Sequence, residues 1–164
     1  LASREGLVVD EDAIYAAAYL HDMGAFPEFA TPGVDHGDRA AELVDGVLAA
    51  AGFPMDKAPL VRQIIQHHMY YHTPGAAPEA VLFRDADTLD FLGAIGVARI
   101  LSLATRHRWA PDLSTAIETI RRHARELPAA LRTLSAKREA ESRLREMQRF
   151  LDTLGSETAG LSIL

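Results

Sequence analysis

Five of the seven histidines fall between His21 and His72, and they are the residues most able to do chemistry. His21 and Asp22 are adjacent at the end of an apolar stretch, just before Gly24. Neighbours on a helix point about 100° apart, so both reach one ion only where the chain turns away. An imidazole nitrogen beside a carboxylate oxygen suits Mn, Fe, Ni, Co or Zn better than Ca. The same dipeptide is also what an ordinary helix end shows to water. His36 stands at a helix start, where it can ligate a metal or cap the helix. His67 and His68 follow Val61, Ile64 and Ile65. His67, three residues after Ile64, lies close to the buried face, as a ligand or as a hydrogen-bonded core histidine. His72, near Pro74, reads as solvent-facing.

Three carboxylates crowd the segment FRDADTLDFLGAIG: Asp85, Asp87 and Asp90. Near a helix N-terminus they are stabilised by the helix dipole alone. Asp87, however, sits among Leu82, Phe83, Leu89 and Phe91, and a carboxylate in such company wants a cation. Asp87 and Asp90 share a helix face. Gly93 and Gly96 cost about 1 kcal/mol each in a helix interior, which implies a close approach to the backbone, most simply by another helix.

The elements that must hold these residues are helical almost throughout. Leu1–Glu5 with Gly6 reads as the last turn of a helix whose body lies upstream. Asp10 or Asp12 caps the next helix, which runs to about Met23 through the alanine-rich stretch Ala13–Leu20. A loop with Pro27, Pro32 and Gly33 follows. Asp35 or His36 opens a third helix closed by Gly52, and Asp56 caps a fourth that ends near Tyr71. A long helix is expected over Glu79–Arg106, another from Asp112 or Ser114 to about Arg125, a shorter turn from Pro128, and a last helix over Ser135–Leu154. Its apolar stripe is Leu144, Met147, Phe150 and Leu151. The expectation is one all-α domain over residues 1–155 with a loose tail over 156–164.

Composition narrows the function classes. The chain has 164 residues, is 48% hydrophobic and 24% charged, and contains no cysteine, so a disulfide scaffold is excluded. No apolar run approaches the roughly 20 residues of a membrane span, and no signal peptide is visible, so a cytoplasmic location is expected. The net charge of −6 disfavours a nucleic-acid polymer or an anionic membrane as partner. A small anionic substrate stays open if a metal or basic cluster receives it. Trp109 beside Pro111 is a candidate exposed aromatic, and the oligomeric state is not legible.

YLHDMG and RDADTLDFLGAIGVARIL together resemble the HD superfamily of metal-dependent phosphohydrolases, and in particular a bacterial subfamily of stand-alone HD hydrolases. The likeness extends to DHGDRAAELV, IIQHH and TLSAKREAESRLREMQRFL, and so covers most of the chain. It implies an HD-type helical bundle. It also implies a divalent ion (Mn, Ni, Fe, Co, Mg or Zn) on His21, Asp22 and Asp87, with Asp85 as the alternative distal ligand. The family's first His lies on the helix before Gly6, and no His precedes His21 here, so that ligand is expected upstream. By the same likeness His36, His67 and His68 are candidates for a second metal. Met69-Tyr70-Tyr71-His72 departs from the HD-GYP signature, so cyclic-dinucleotide hydrolysis is not supported.

The activity implied is hydrolysis of a phosphoester or phosphoanhydride, with a small phosphorylated substrate, by the likeness a nucleotide. A water acidified by the metal attacks phosphorus. Asp22, His36 and His67 are the expected catalytic groups, and Lys137 and Arg143 the expected phosphate contacts. Two other readings of the same resemblance are a di-iron oxygenase of HD fold and a non-catalytic, metal-binding regulatory HD module. A helical interaction domain with incidental histidines is the plain alternative.

Overall fold

The computed structural model describes residues 1–104 and 112–160. Every regular element among them is helical: α1 (Ala2–Glu5), α2 (Glu11–Leu20), a 3₁₀ turn (Met23–Ala25), α3 (His36–Ala50), α4 (Ala58–Gln66), α5 (Pro78–Leu89), α6 (Gly93–Ala104), α7 (Leu113–Ala130) and α8 (Leu134–Glu157). The all-α expectation is met. The chain packs as two compact units, Leu1–Asp87 and Thr88–Leu164.

In the first unit α4 packs against α2 and α3, and α3 against the 3₁₀ turn. Ala13 and Ala17 on α2 are wholly buried, and their small side chains let the helices close on Val44, Val61, Ile64 and Ile65. Each fully buried Ile contributes about 1.5–3 kcal/mol. In the second unit α6, α7 and α8 pack pairwise around Ile100, Ile117, Ile120, Leu127 and Met147.

Caps fix most helix starts. Asp10 accepts from the Ala13 N–H, Asp35 from Gly37, Asp112 from Thr115 and Thr133 from Ala136. The fourth helix departs from expectation at both ends. It starts after Lys57, whose ammonium lies on Asp10 and Asp12, and it stops at Gln66 rather than near Tyr71. In a continuing helix the Ile65 carbonyl would accept the Met69 N–H. The His68 ring takes it instead.

The long helix expected over Glu79–Arg106 is two helices, α5 and α6. Gly93 adopts φ +73, a left-handed conformation that ends helical propagation, and a Cβ there would press on the Arg143 side chain of α8 at 3.0 Å. Gly96 answers a different need: its missing side chain makes room for the Phe91 backbone of the same corner. Pro128 does not start a turn but sits inside α7, and α8 runs three residues past Leu154. Trp109 lies outside the described residues.

Candidate metal centre

The centre is built where the ends of α2, α3 and α4 come together. His21 is the C-cap of α2, and its Nδ1 lies 3.1 Å from the Ala18 carbonyl. A carbonyl only accepts, so Nδ1 carries the proton and donates. Nε2 is thereby turned toward the Asp22 carboxylate, 3.3 Å away. His68 is set the same way, with Nδ1 2.6 Å from the Ile65 carbonyl. Two backbone carbonyls thus fix both rings with Nε2 facing inward, as outer partners commonly do for metal-binding histidines.

Asp22 opens the 3₁₀ turn, which lies flat against α3. Gly24 makes that possible: a Cβ there would overlap the His36 carbonyl oxygen and come within 2.9 Å of the Arg39 Cβ. His36, the first residue of α3, thereby places Nε2 3.5 Å from Asp22 Oδ1 and 3.2 Å from His68 Nε2. His21, Asp22 and His68 each offer a ligand atom, and these atoms all lie within 4.8 Å of one another. Two imidazole nitrogens and a carboxylate oxygen form a borderline donor set that fits Zn, Mn, Fe, Co or Ni.

The charges agree with that arrangement. Burial pushes the Asp22 carboxyl up, but the imidazoles around it, His21 first, outweigh this and hold it at about 2. It is an anion at any physiological pH. Burial pushes His21 down, yet Asp22, and then the more distant Asp87, raise it overall. His68 is fully buried, and desolvation drives it down to about 4 against the help of the Ile65 carbonyl. At neutral pH the His68 ring is uncharged and its inward Nε2 holds a lone pair.

The other expected residues are placed as follows. Asp87, half-buried on α5, acts on His21 through its charge, whereas Asp85 is fully buried two residues earlier. His67 turns elsewhere: its Nδ1 bonds the Thr73 carbonyl at 2.8 Å, and His72 bonds the Gln66 carbonyl at 3.0 Å. These two rings staple the turn between α4 and α5. In the second unit Lys137 is exposed on α8. Arg143 is engaged by the Leu89 carbonyl at 2.6 Å, by Asp90 and by Glu139, and so clasps the corner between α5 and α6.

Three contributors lie outside the expected site residues, although the sequence marks Asp35 as a helix cap. Tyr71 donates to Asp35 Oδ2 at 2.8 Å. Asp35 in turn lies beside His36. Arg84, only 2% exposed, donates to the Tyr70 carbonyl at 2.6 Å and ties the turn to α5. Arg84 is visible in the sequence as a lone cation following the apolar run Val81-Leu82-Phe83.

Comparison with known proteins agrees with this architecture. The HD domain family model matches residues 1–92. A predicted HD superfamily hydrolase from an uncultured Thermotogales bacterium is 28% identical, with a TM-score of 0.64 over 95% of this chain and 72% of that one. A Lactobacillus plantarum protein is 26% identical, with a TM-score of 0.69 over 96% and 80%. Bacillus subtilis YpgQ, solved in complex with ADP, shares the fold at 23% identity, with a TM-score of 0.69 over 98% and 83%. No curated protein matches the chain. The family model spans more than half of the sequence, including the turn that carries His21 and Asp22 and the end of α4 that carries His68; the chain belongs to the HD-domain family, within the superfamily of metal-dependent hydrolases.

Proposed function

We propose that the chain is a divalent-metal-dependent phosphohydrolase acting on a small phosphorylated substrate, with a nucleotide as the favoured class. The observation that carries this reading is the convergence of His21, Asp22 and His68, with both rings turned inward by backbone carbonyls. His21, Asp22 and His68 hold the ion, and Asp87 is the fourth candidate ligand through its action on His21. When bound, the ion supplies Lewis acidity toward a phosphoryl oxygen and acidifies a water.

The protein's own groups do the rest. Asp22 stays ionised and neutralises the incoming cation. His68 stays neutral and keeps a lone pair on Nε2, which accepts from His36 here and would turn to an ion on loading. His21 gives its Nδ1 proton to the Ala18 carbonyl, which leaves Nε2 for an ion; Asp22 beside it favours protonation of that nitrogen, so a metal would compete with protons there. His36 carries its proton on Nε2, because the His68 Nε2 opposite must accept. It is therefore a donor aimed into the centre, suited to a phosphoryl oxygen or a leaving oxygen; such general-acid help is worth about 10²- to 10⁴-fold. His67 has no assigned step, since its Nδ1 holds the Thr73 carbonyl and the residue is not part of the His21–Asp22–His68 cluster. The ADP held by YpgQ supports the nucleotide class.

The test is turnover of a chromogenic phosphodiester and a nucleoside di- and triphosphate panel with Mn, Co, Ni, Mg or Zn, beside Asp22→Ala. Metal-dependent release of phosphate that is lost in Asp22→Ala is the expected result. Bound metal without turnover of any phosphoester, or oxygen consumption with iron, overturns the hydrolase reading.

A further inference from the structure

A line of polar contacts leads from the surface to the centre, and nothing in the proposed reaction uses its outer half. Tyr71, half-exposed on the turn between α4 and α5, donates its hydroxyl to Asp35 Oδ2 at 2.8 Å. Asp35 Oδ1 accepts from the Gly37 N–H at 2.8 Å. An N-cap needs only that second bond, and the first goes beyond capping. Asp35 Oδ2 also faces His36 Nδ1 at 3.7 Å, on the side of the ring away from the centre. The other ring nitrogen, Nε2, reaches His68 and Asp22. The buried Arg84 holds the Tyr70 carbonyl and so sets the backbone from which Tyr71 projects.

We propose that Asp35 and Tyr71 are positioning residues for His36: the Tyr71 hydroxyl ties the Asp35 carboxylate, which caps α3, and the two together fix the backbone from which His36 turns its Nε2 into the metal centre. The assignment rests on the phosphohydrolase reading for its catalytic consequence, but not for its geometry. His36 is the first residue of α3 and projects from a half-buried helix start, so the direction of its ring depends on how that start is held. Asp35 caps that start, and its carboxylate joins it to the turn that carries Tyr71. The carboxylate is itself pinned at both oxygens, by the α3 backbone and by a phenol from another segment.

The test uses Tyr71→Phe, which removes one hydroxyl, and Asp35→Ser, which keeps an N-cap side chain while losing the oxygen that Tyr71 holds. Each is made in the parent chain and in His36→Ala. Outer partners of this kind are worth roughly 10- to 100-fold. A drop in kcat of that order is expected, with KM and Mn affinity unchanged and with no further drop in His36→Ala. Imidazole ¹⁵N spectra of the metal-free chain give a second readout: the His36 ring signals should move in both variants and those of His123 should not. Full loss persisting in His36→Ala, or an unmoved His36 spectrum, overturns the proposal. If the parent chain hydrolyses no phosphoester, the hydrolase reading fails while the spectra still decide the positioning.

Discussion

At the scale of single residues the centre is held by opposing charges at short range. Asp22 stands among His21, His36 and His68, and its carboxyl is held at about 2 by them against the push of burial. Asp22→Asn removes the one anion among three imidazoles. We expect Mn affinity to fall by more than about 10-fold, measured by isothermal titration, since even outer partners cost that much. The fold should survive, because Asp22 is part of a short turn and not of the apolar core. The His21–Asp22 pair was legible in the sequence as neighbours of the right type at a chain reversal. His68 was legible only as one of two histidines, because which of the pair turns inward is decided by the last turn of α4. The side chain of His68 captures the Ile65 carbonyl, a competition between ring and backbone that no periodicity reveals.

At the scale of elements the informative places are the helix ends. The corner between α5 and α6 is made by Gly93 in a left-handed conformation and clasped by Arg143 on the Leu89 carbonyl. Gly93→Ala forces a Cβ into a conformation that costs an L-residue about 1–2 kcal/mol, before any crowding against Arg143. For a domain of this size each kcal/mol lowers Tm by about 2–4 °C, so calorimetry should show a drop of about 2–8 °C. The sequence shows both glycines at helical spacing, and the segment Glu79–Arg106 reads through them as one helix. The break depends on a positive φ, which periodicity cannot report. Helix identities were legible from capping residues such as Asp10, Asp35 and Asp112, whose carboxylates satisfy free N–H groups locally. Pro128 misled for the opposite reason: burial of Leu127 and the packing of α7 outweigh the local preference of proline.

At the scale of the whole molecule charge is unevenly shared. Residues 1–87 carry fourteen Asp and Glu against five Lys and Arg, a net −9, while residues 88–164 carry nine against twelve, a net +3. The candidate metal centre lies wholly in the acidic unit. Such a field concentrates cations and is screened within about 10 Å at 0.1 M salt. Mn affinity should therefore weaken several-fold between low and high ionic strength at fixed pH, which titration in sodium chloride would read. Acid stability follows from two buried rings. His68 and His123 are each held near 4 by burial, below the ordinary 6.5. The unfolded chain takes up protons at both sites as pH falls from about 6.5 to about 4, while the folded chain excludes them, so stability is lost across that window and not above it. Each ring is worth on the order of 1–3 kcal/mol by the end of the window. Denaturant midpoints at pH 7 and pH 4.5 would read the loss, and His123→Gln should reduce it. Asp22 adds a loss of the same sign below about pH 4.

The flat seating of the 3₁₀ turn on α3 carries a consequence for how such chains are read. At Gly24 there is no room for a single methyl group, because the His36 carbonyl occupies it. A chain that keeps His21, Asp22, His36 and His68 but bears alanine at position 24 would retain every donor atom and lose their common meeting point. Its ligand inventory would look intact while its metal affinity collapsed. Whether a sequence of this type can work is therefore written as much in a hydrogen atom two residues past the His-Asp pair as in the pair itself.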